Sequence, residues 1–161
     1  MKVERISKPA IRLIGVAART SNQVEAGPEG KISGLWGSFF QSGLMQQSGI
    51  KPGQIYGLYT EYASDVNGEY TVVLGCEATE DGVNADHLKN FRKADIPALD
   101  YLVFTSKQGP VQSVVVEAWR EIWVYFQNNI ETRTYKGDFE LYDSVQFDPS
   151  NAVVQIYIAV S

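Results

Sequence analysis

Hydrophobic positions change their spacing along this chain in a regular order. Residues 3–20, VERISKPAIRLIGVAART, alternate apolar and polar side chains and are rich in Ile and Val. They predict a strand interrupted near Pro9, which cannot donate to a ladder. After a polar loop, SNQVEAGPEGK, the segment ISGLWGSFFQSGLMQQ (32–47) shifts to helical spacing. It places Ile32, Trp36, Phe39, Phe40 and Gly43 on one face. Gly34, Gly37 and Gly43 weaken that helix and leave room for close packing on a sheet or a ligand. QIYGLYTEYA (54–63) and EYTVVLGCEA (69–78) read as the strands of a hairpin. Asn67-Gly68 is the turn signal, because both residues accept positive φ. TEDGVNADHLKNFRKADI (79–96) reads as a polar excursion closed by Pro97, and ALDYLVFTSKQG (98–109) as a strand. VQSVVVEAWREIWVYFQNN (111–129) is the clearest helix. Val111, Val115, Ala118, Trp119, Ile122 and Phe126 share one face, and Glu117, Arg120, Glu121 and Asn128 the other. GDFELYD (137–143) and AVVQIYIAV (152–160) close the chain as strands around the loop SVQFDPSN.

This order of strand, helix, strand, strand occurs twice. An offset of 83 residues carries Trp36 onto Trp119, Phe40 onto Trp123, YGLY (56–59) onto FELY (139–142) and Val73 onto Ile156. One βαββ unit leaves half its sheet and a helix face uncovered, and two units side by side cover both. The expected fold is therefore α+β: a tandem, pseudo-two-fold repeat of βαββ units with an antiparallel sheet, two long helices and a central cleft. A single domain over residues 1–161 is expected, with halves at about 1–80 and 95–161. The repeat sets Gly57 against Glu140. One side opens space and the other supplies charge, which suits a site between the halves.

Composition narrows the function. Acidic residues exceed basic ones by five, and KNFRK (89–93) is only a short solvated basic turn, so nucleic acid is not an expected partner. No segment has the length of a membrane span and none resembles a signal peptide, so no membrane partner and a cytoplasmic location are expected. Cys76 is alone and reads as a small buried strand residue. The single histidine, His87, lies in the polar stretch NADHLKN without a cluster at metal-ligand spacing, and no glycine stretch matches a phosphate loop. No metal or other cofactor is expected. Aromatic residues reach 12%, enough to build a core, an aromatic pocket or both.

Three stretches together carry a family likeness: YGLYTEYASDVNGEYTVVLGCEA, the helix EAWREIWVYF, and the ending DFELYD…VVQIYIAV. The chain resembles the GyrI-like effector-binding domains, which are attached to AraC-type and MerR-type bacterial transcription activators and also stand alone. The resemblance covers essentially the whole chain. It implies tandem βαββ units around a cleft that takes up small molecules, often bulky, aromatic or cationic, between aromatic side chains. It also implies a buried glutamate that pairs with the cation, and Glu140 in DFELYD stands in its place. No helix-turn-helix segment accompanies the domain, so direct DNA binding is not expected, and a regulator protein is a candidate partner.

The candidate ligand-binding residues are Glu140, Trp36, Phe40, Tyr59, Tyr70, Trp119, Trp123 and Tyr142. Tyr62, Tyr101 and Tyr157 are further aromatic candidates. Each has a plainer reading. Glu140 alternates with Phe139 and Leu141 and could face water with Tyr142, and strand register decides which sheet face it takes. Trp119 could pack in the core, and Tyr70 across strands. The expected function is effector binding: sensing or sequestering a hydrophobic, aromatic small molecule, cationic in some cases, in a cleft between the two halves. One alternative that the resemblance implies is a hydrolase of strained small molecules in the same cleft, with Glu140 as general base and a cleft tyrosine orienting water. Another is an inhibitor acting through an acidic surface, which the scattered acids (Glu25, Glu29, Asp65, Glu69, Glu80, Asp81, Asp138, Asp143) do not favour.

Overall fold

The computed structural model describes residues 2–145 and 147–161; Met1 and Gln146, the latter in the loop predicted before the last strand, lie outside them. Its strands are β1 (Lys2–Lys8), β2 (Ile11–Ser21), β3 (Gln54–Thr60), β4 (Glu69–Glu77), β5 (Arg92–Ile96), β6 (Leu99–Thr105), β7 (Asp138–Asp143) and β8 (Gln155–Val160). Its helices are a single turn, α1 (Asn22–Glu25), then α2 (Ile32–Gln41) and α3 (Val111–Asn128). All strands join one antiparallel sheet in the order β1-β6-β8-β7-β3-β4-β2-β5.

That order cannot be flat. Pro9 and Ala10 alone join β1, at one end, to β2, next to the other end. Six strand spacings of a flat sheet would separate them by roughly 29 Å. Three residue steps reach only about 11 Å. Pro97 and Ala98 make the same short link between β5 and β6. The register runs straight through both links: Lys8 faces Leu99, and Ile11 faces Ile96. The sheet therefore coils until its ends share one bent antiparallel ribbon. Its two faces have different covers. One buried cluster, including Val73, Tyr101, Phe139 and Ala159, consists only of strand residues and is covered by the coiled sheet itself. The other face carries the helices, with Leu35 and Phe39 of α2 and Ala118 and Ile122 of α3 in its core.

Three sequence expectations need correction. The helix predicted over 32–47 ends at Gln41, because Gly43 turns left-handed (φ 70°) and starts a short 3-10 turn that buries Leu44. Only α3 is long. Within α2, a Cβ at Gly34 or Gly37 would meet nothing within 4 Å, so neither serves close packing. The β3–β4 hairpin exists, but Asn67 and Gly68 do not form its turn through positive φ. Glu61 takes the left-handed conformation instead (φ 52°), and the Asp65 side chain accepts from the Asn67 amide at 2.9 Å. The polar stretch 79–96 also contains structure: Leu88 is fully buried, and residues 92–96 form the edge strand β5. Among the described residues no helix is long and apolar enough to cross a membrane.

Candidate functional site

The first half pairs with the second at two places, β1 with β6 and, at the centre of the sheet, β3 with β7, where Gly57 lies directly opposite Glu140. These are also the residues that the internal repeat relates. The flanking pairs behave differently: Tyr59 faces Asp138 across the ladder, whereas its repeat mate is Tyr142, which faces Ile55. The local two-fold therefore passes through the Gly57–Glu140 pair. Two carboxylates there would crowd one another on the same face. A Cβ on Gly57 would already lie 3.4 Å from Glu140 Oε1. Glycine on one strand makes room for the carboxylate of the other.

Strand alternation puts Glu140 and Tyr142 on the helix side, with Phe139 in the opposite cluster. Glu140 is not the water-facing strand residue of the plainer reading; only 4% of it is exposed. Its oxygens accept from three neutral donors. Tyr142 Oη donates to Oε1 at 2.6 Å, and Tyr59 Oη and Trp119 Nε1 donate to Oε2 at 2.8 and 2.7 Å. Among the described residues no Lys, Arg or His pairs with it. Burial raises its pKa, and the three donors offset that rise only in part. Burial and the nearby carboxylate hold the hydroxyls of Tyr59 and Tyr142 far above their ordinary pKa, so both remain donors.

Above Glu140 opens a cavity of about 890 Å³ between α2 and α3. All eight sequence-predicted residues line it: Trp36, Phe40, Tyr59, Tyr70, Trp119, Trp123, Glu140 and Tyr142. Its aromatic walls follow the two-fold. Trp36 packs edge-on to Tyr142 with ring centroids 5.1 Å apart, and its mate Trp119 packs on Tyr59 at 5.3 Å. Next along each helix, Trp36 stacks on Phe40 at 5.8 Å, and Trp119 lies 6.4 Å from Trp123. Phe40 is half-exposed at the outer end. Tyr70 serves structure as well, donating to Asn22 Oδ1 at 2.9 Å. Of the further tyrosines, Tyr62 lines the cavity, whereas Tyr101 and Tyr157 belong to the opposite sheet face.

Besides Glu140, three charged residues among those described line the cavity, Glu25, Arg120 and Arg133, and none was a sequence candidate for it; Arg120 was expected on the face of α3 away from Trp119. Glu25 accepts from the amides of Lys31 and Ile32, at 2.8 and 3.0 Å, and so caps the start of α2. Burial opposes its ionisation, but these amides and the Thr20 hydroxyl prevail and hold its pKa below the ordinary value. Arg133, from the segment between α3 and β7, pairs with the fully buried Asp138 at 2.8 Å. Asp138 also accepts from Tyr62 Oη at 2.6 Å and the Ala159 amide at 2.8 Å.

Comparison with known proteins agrees with this architecture. A family model described as integron-associated effector binding protein matches residues 6–160. Bacillus subtilis (strain 168) YobU, whose name places it provisionally among transcriptional regulators, is 37% identical over 152 residues, covering 92% of this chain and 91% of its own. An integron cassette protein from the mobile metagenome of Vibrio cholerae superposes with a TM-score of 0.79 at 28% identity, over 99% of this chain and 95% of its own. The protein SAV2435, solved bound to tetraphenylphosphonium, superposes with a TM-score of 0.78 at 20% identity, over 100% of this chain and 94% of its own.

Proposed function

The chain belongs to the integron-associated effector-binding proteins, and from that premise we propose that its cleft captures a hydrophobic small-molecule cation whose counter-charge is Glu140. One observation carries the reading. A buried carboxylate sits at the floor of an aromatic cavity, hydrogen-bonded among the described residues by neutral donors alone. Ionising such a group without a partner is costly. A cation in the cleft recovers that cost, and a cation about 4 Å away gains roughly 4 kcal/mol at an effective dielectric of about 20. Aromatic faces add about 0.5–2 kcal/mol each.

The donor set favours one kind of cation. Two carboxylate oxygens offer about four lone-pair sites, and three are taken. Little hydrogen-bonding capacity remains for an ammonium, while the charge stays available to an onium centre shielded by aryl or alkyl groups. The two-fold pairs Trp36–Trp119 and Phe40–Trp123 line the cavity from both helices and offer aromatic faces to apolar arms of such a ligand. The SAV2435 complex supports this choice, because its ligand is such an onium and its fold is the same.

Tryptophan fluorescence tests the reading, since Trp36, Trp119 and Trp123 all line the cavity. Tetraphenylphosphonium and neutral triphenylphosphine oxide are titrated into wild type and Glu140→Gln. The phosphonium is expected to saturate the wild type and to weaken by roughly 30- to 150-fold in the variant, the equivalent of about 2–3 kcal/mol. The neutral probe should bind both proteins alike. Equal affinity of the phosphonium for the two proteins removes Glu140 from the account.

A further inference from the structure

Asp138 and Glu140 are two residues apart on one face of β7, and both are buried. Trp119 links the surroundings of the two. Its Nε1 donates to Glu140, while its ring lies 6.0 Å from the Arg133 guanidinium carbon. That guanidinium also lies 4.4 Å from the Tyr135 ring and 5.9 Å from the Phe126 ring, with Asp138 as its counter-ion. An aromatic cage closed by a carboxylate is what a cation requires. Here the chain supplies the cation itself. The Arg133 side chain is only 6% exposed, and among the described residues its Nε has no hydrogen-bond partner. Recognition by a fork of donors is therefore incomplete, as expected if charge and ring contacts place the group. The backbone is bent to the same end. Tyr135 takes a positive φ of 56°, uncommon for a bulky residue, and its ring packs on both Arg133 and Tyr62.

We propose that Arg133 is the built-in occupant of a second cation subsite, contiguous with the Glu140 cleft, and that it restricts the cleft to ligands carrying a single positive charge. This rests on the reading of Glu140 as a ligand's counter-charge. Glu140 compensates one cation. A second charge on a compact ligand finds Asp138 already neutralised and a guanidinium beside it, so its desolvation goes unrecovered. Removing Arg133 frees both the cage and Asp138.

The test compares two rigid probes of matched shape, the dication methyl viologen and the monocation N-methyl-4-phenylpyridinium. Their affinities are measured by calorimetry on wild type, Arg133→Lys, Arg133→Met and the charge-neutral Arg133→Met/Asp138→Asn. Wild type and Arg133→Lys should favour the monocation. In Arg133→Met the ratio of the two affinities should move about tenfold or more toward the dication. In the double variant it should move in the same direction by less. Damage to the site would instead weaken both probes together and leave the ratio in place, which overturns the proposal. If Arg133→Met fails to fold with Asp138 unpaired, the double variant carries the comparison, and an unchanged ratio there has the same consequence. A wild type that binds the dication more tightly than the monocation also refutes the restriction. Failure of the underlying reading looks different: wild type and Glu140→Gln would bind the monocation equally, or neither would bind it.

Discussion

Consider Glu140→Gln in the ligand-free protein. The wild-type carboxyl has a folded-state pKa above its ordinary value of 4.5, because burial outweighs its three hydrogen bonds. The folded chain therefore holds this proton more tightly than the unfolded chain. Its contribution to stability is complete below pH 4.5 and is lost as the pH rises through the raised value. The loss has a maximum slope of about 1.4 kcal/mol per pH unit for one proton. The net cost near neutrality grows with the height to which burial raises the pKa, and it is absent where the carboxyl is still protonated. Glutamine does not titrate. Its oxygen can accept from Tyr59 and Trp119, while its amide donates to the Tyr142 oxygen. Urea denaturation followed by fluorescence, between about pH 4.5 and about pH 8, gives the stability difference at each pH. Wild type should lose ground to the variant as the pH rises, then level off. Wild type gaining on the variant over that interval would mean that the ionised carboxylate is stabilised in the empty cleft, and the reasoning would be wrong.

Three further outcomes follow from the same contacts. Tyr142→Phe removes the 2.6 Å donor to Oε1; the pH midpoint of phosphonium binding should rise by about one to two units, because a hydrogen bond to an ionised acceptor is worth about 1.5–3 kcal/mol. Gly57→Ala should retain binding, since its Cβ fits at 3.4 Å from Oε1, whereas Gly57→Val should push the carboxylate aside and abolish binding in titrations of the folded protein. Phe39→Ala, at the buried side of α2, should cost about 3–5 kcal/mol in denaturant unfolding.

The repeat made the site legible before the fold. Residues at an offset of 83 turn out to be two-fold mates, and the one mated pair that also faces itself across the ladder is Gly57 and Glu140. What failed had local causes. The β5 residues Arg92 to Asp95 lie on an edge where Arg92, Lys93 and Asp95 stay exposed, so no apolar alternation marks them. Asn67-Gly68 carries the composition of a tight turn, but the strands stop too early for it to close them. The Arg133–Asp138 pair was invisible because residues 129–137 have no period. Arg133 is placed by the bridge to Val160 and by Tyr135, contacts that only the folded chain assembles. The face of Glu140 was undetermined for a general reason: alternation gives two equivalent answers until a neighbouring strand sets the register.

The proposed function requires that a bound cation takes over the cost of ionising Glu140. Calorimetric titration of wild type with tetraphenylphosphonium, in buffers of different ionisation enthalpy from about pH 4.5 to about pH 8, measures it directly, because a pKa shift on binding is a change in bound protons. Proton release on binding is expected within that interval, with affinity that rises with pH until Glu140 is ionised in the free protein, and neither effect is expected in Glu140→Gln. Phosphonium binding with no proton release and no pH dependence at all, the same in both proteins, would contradict it.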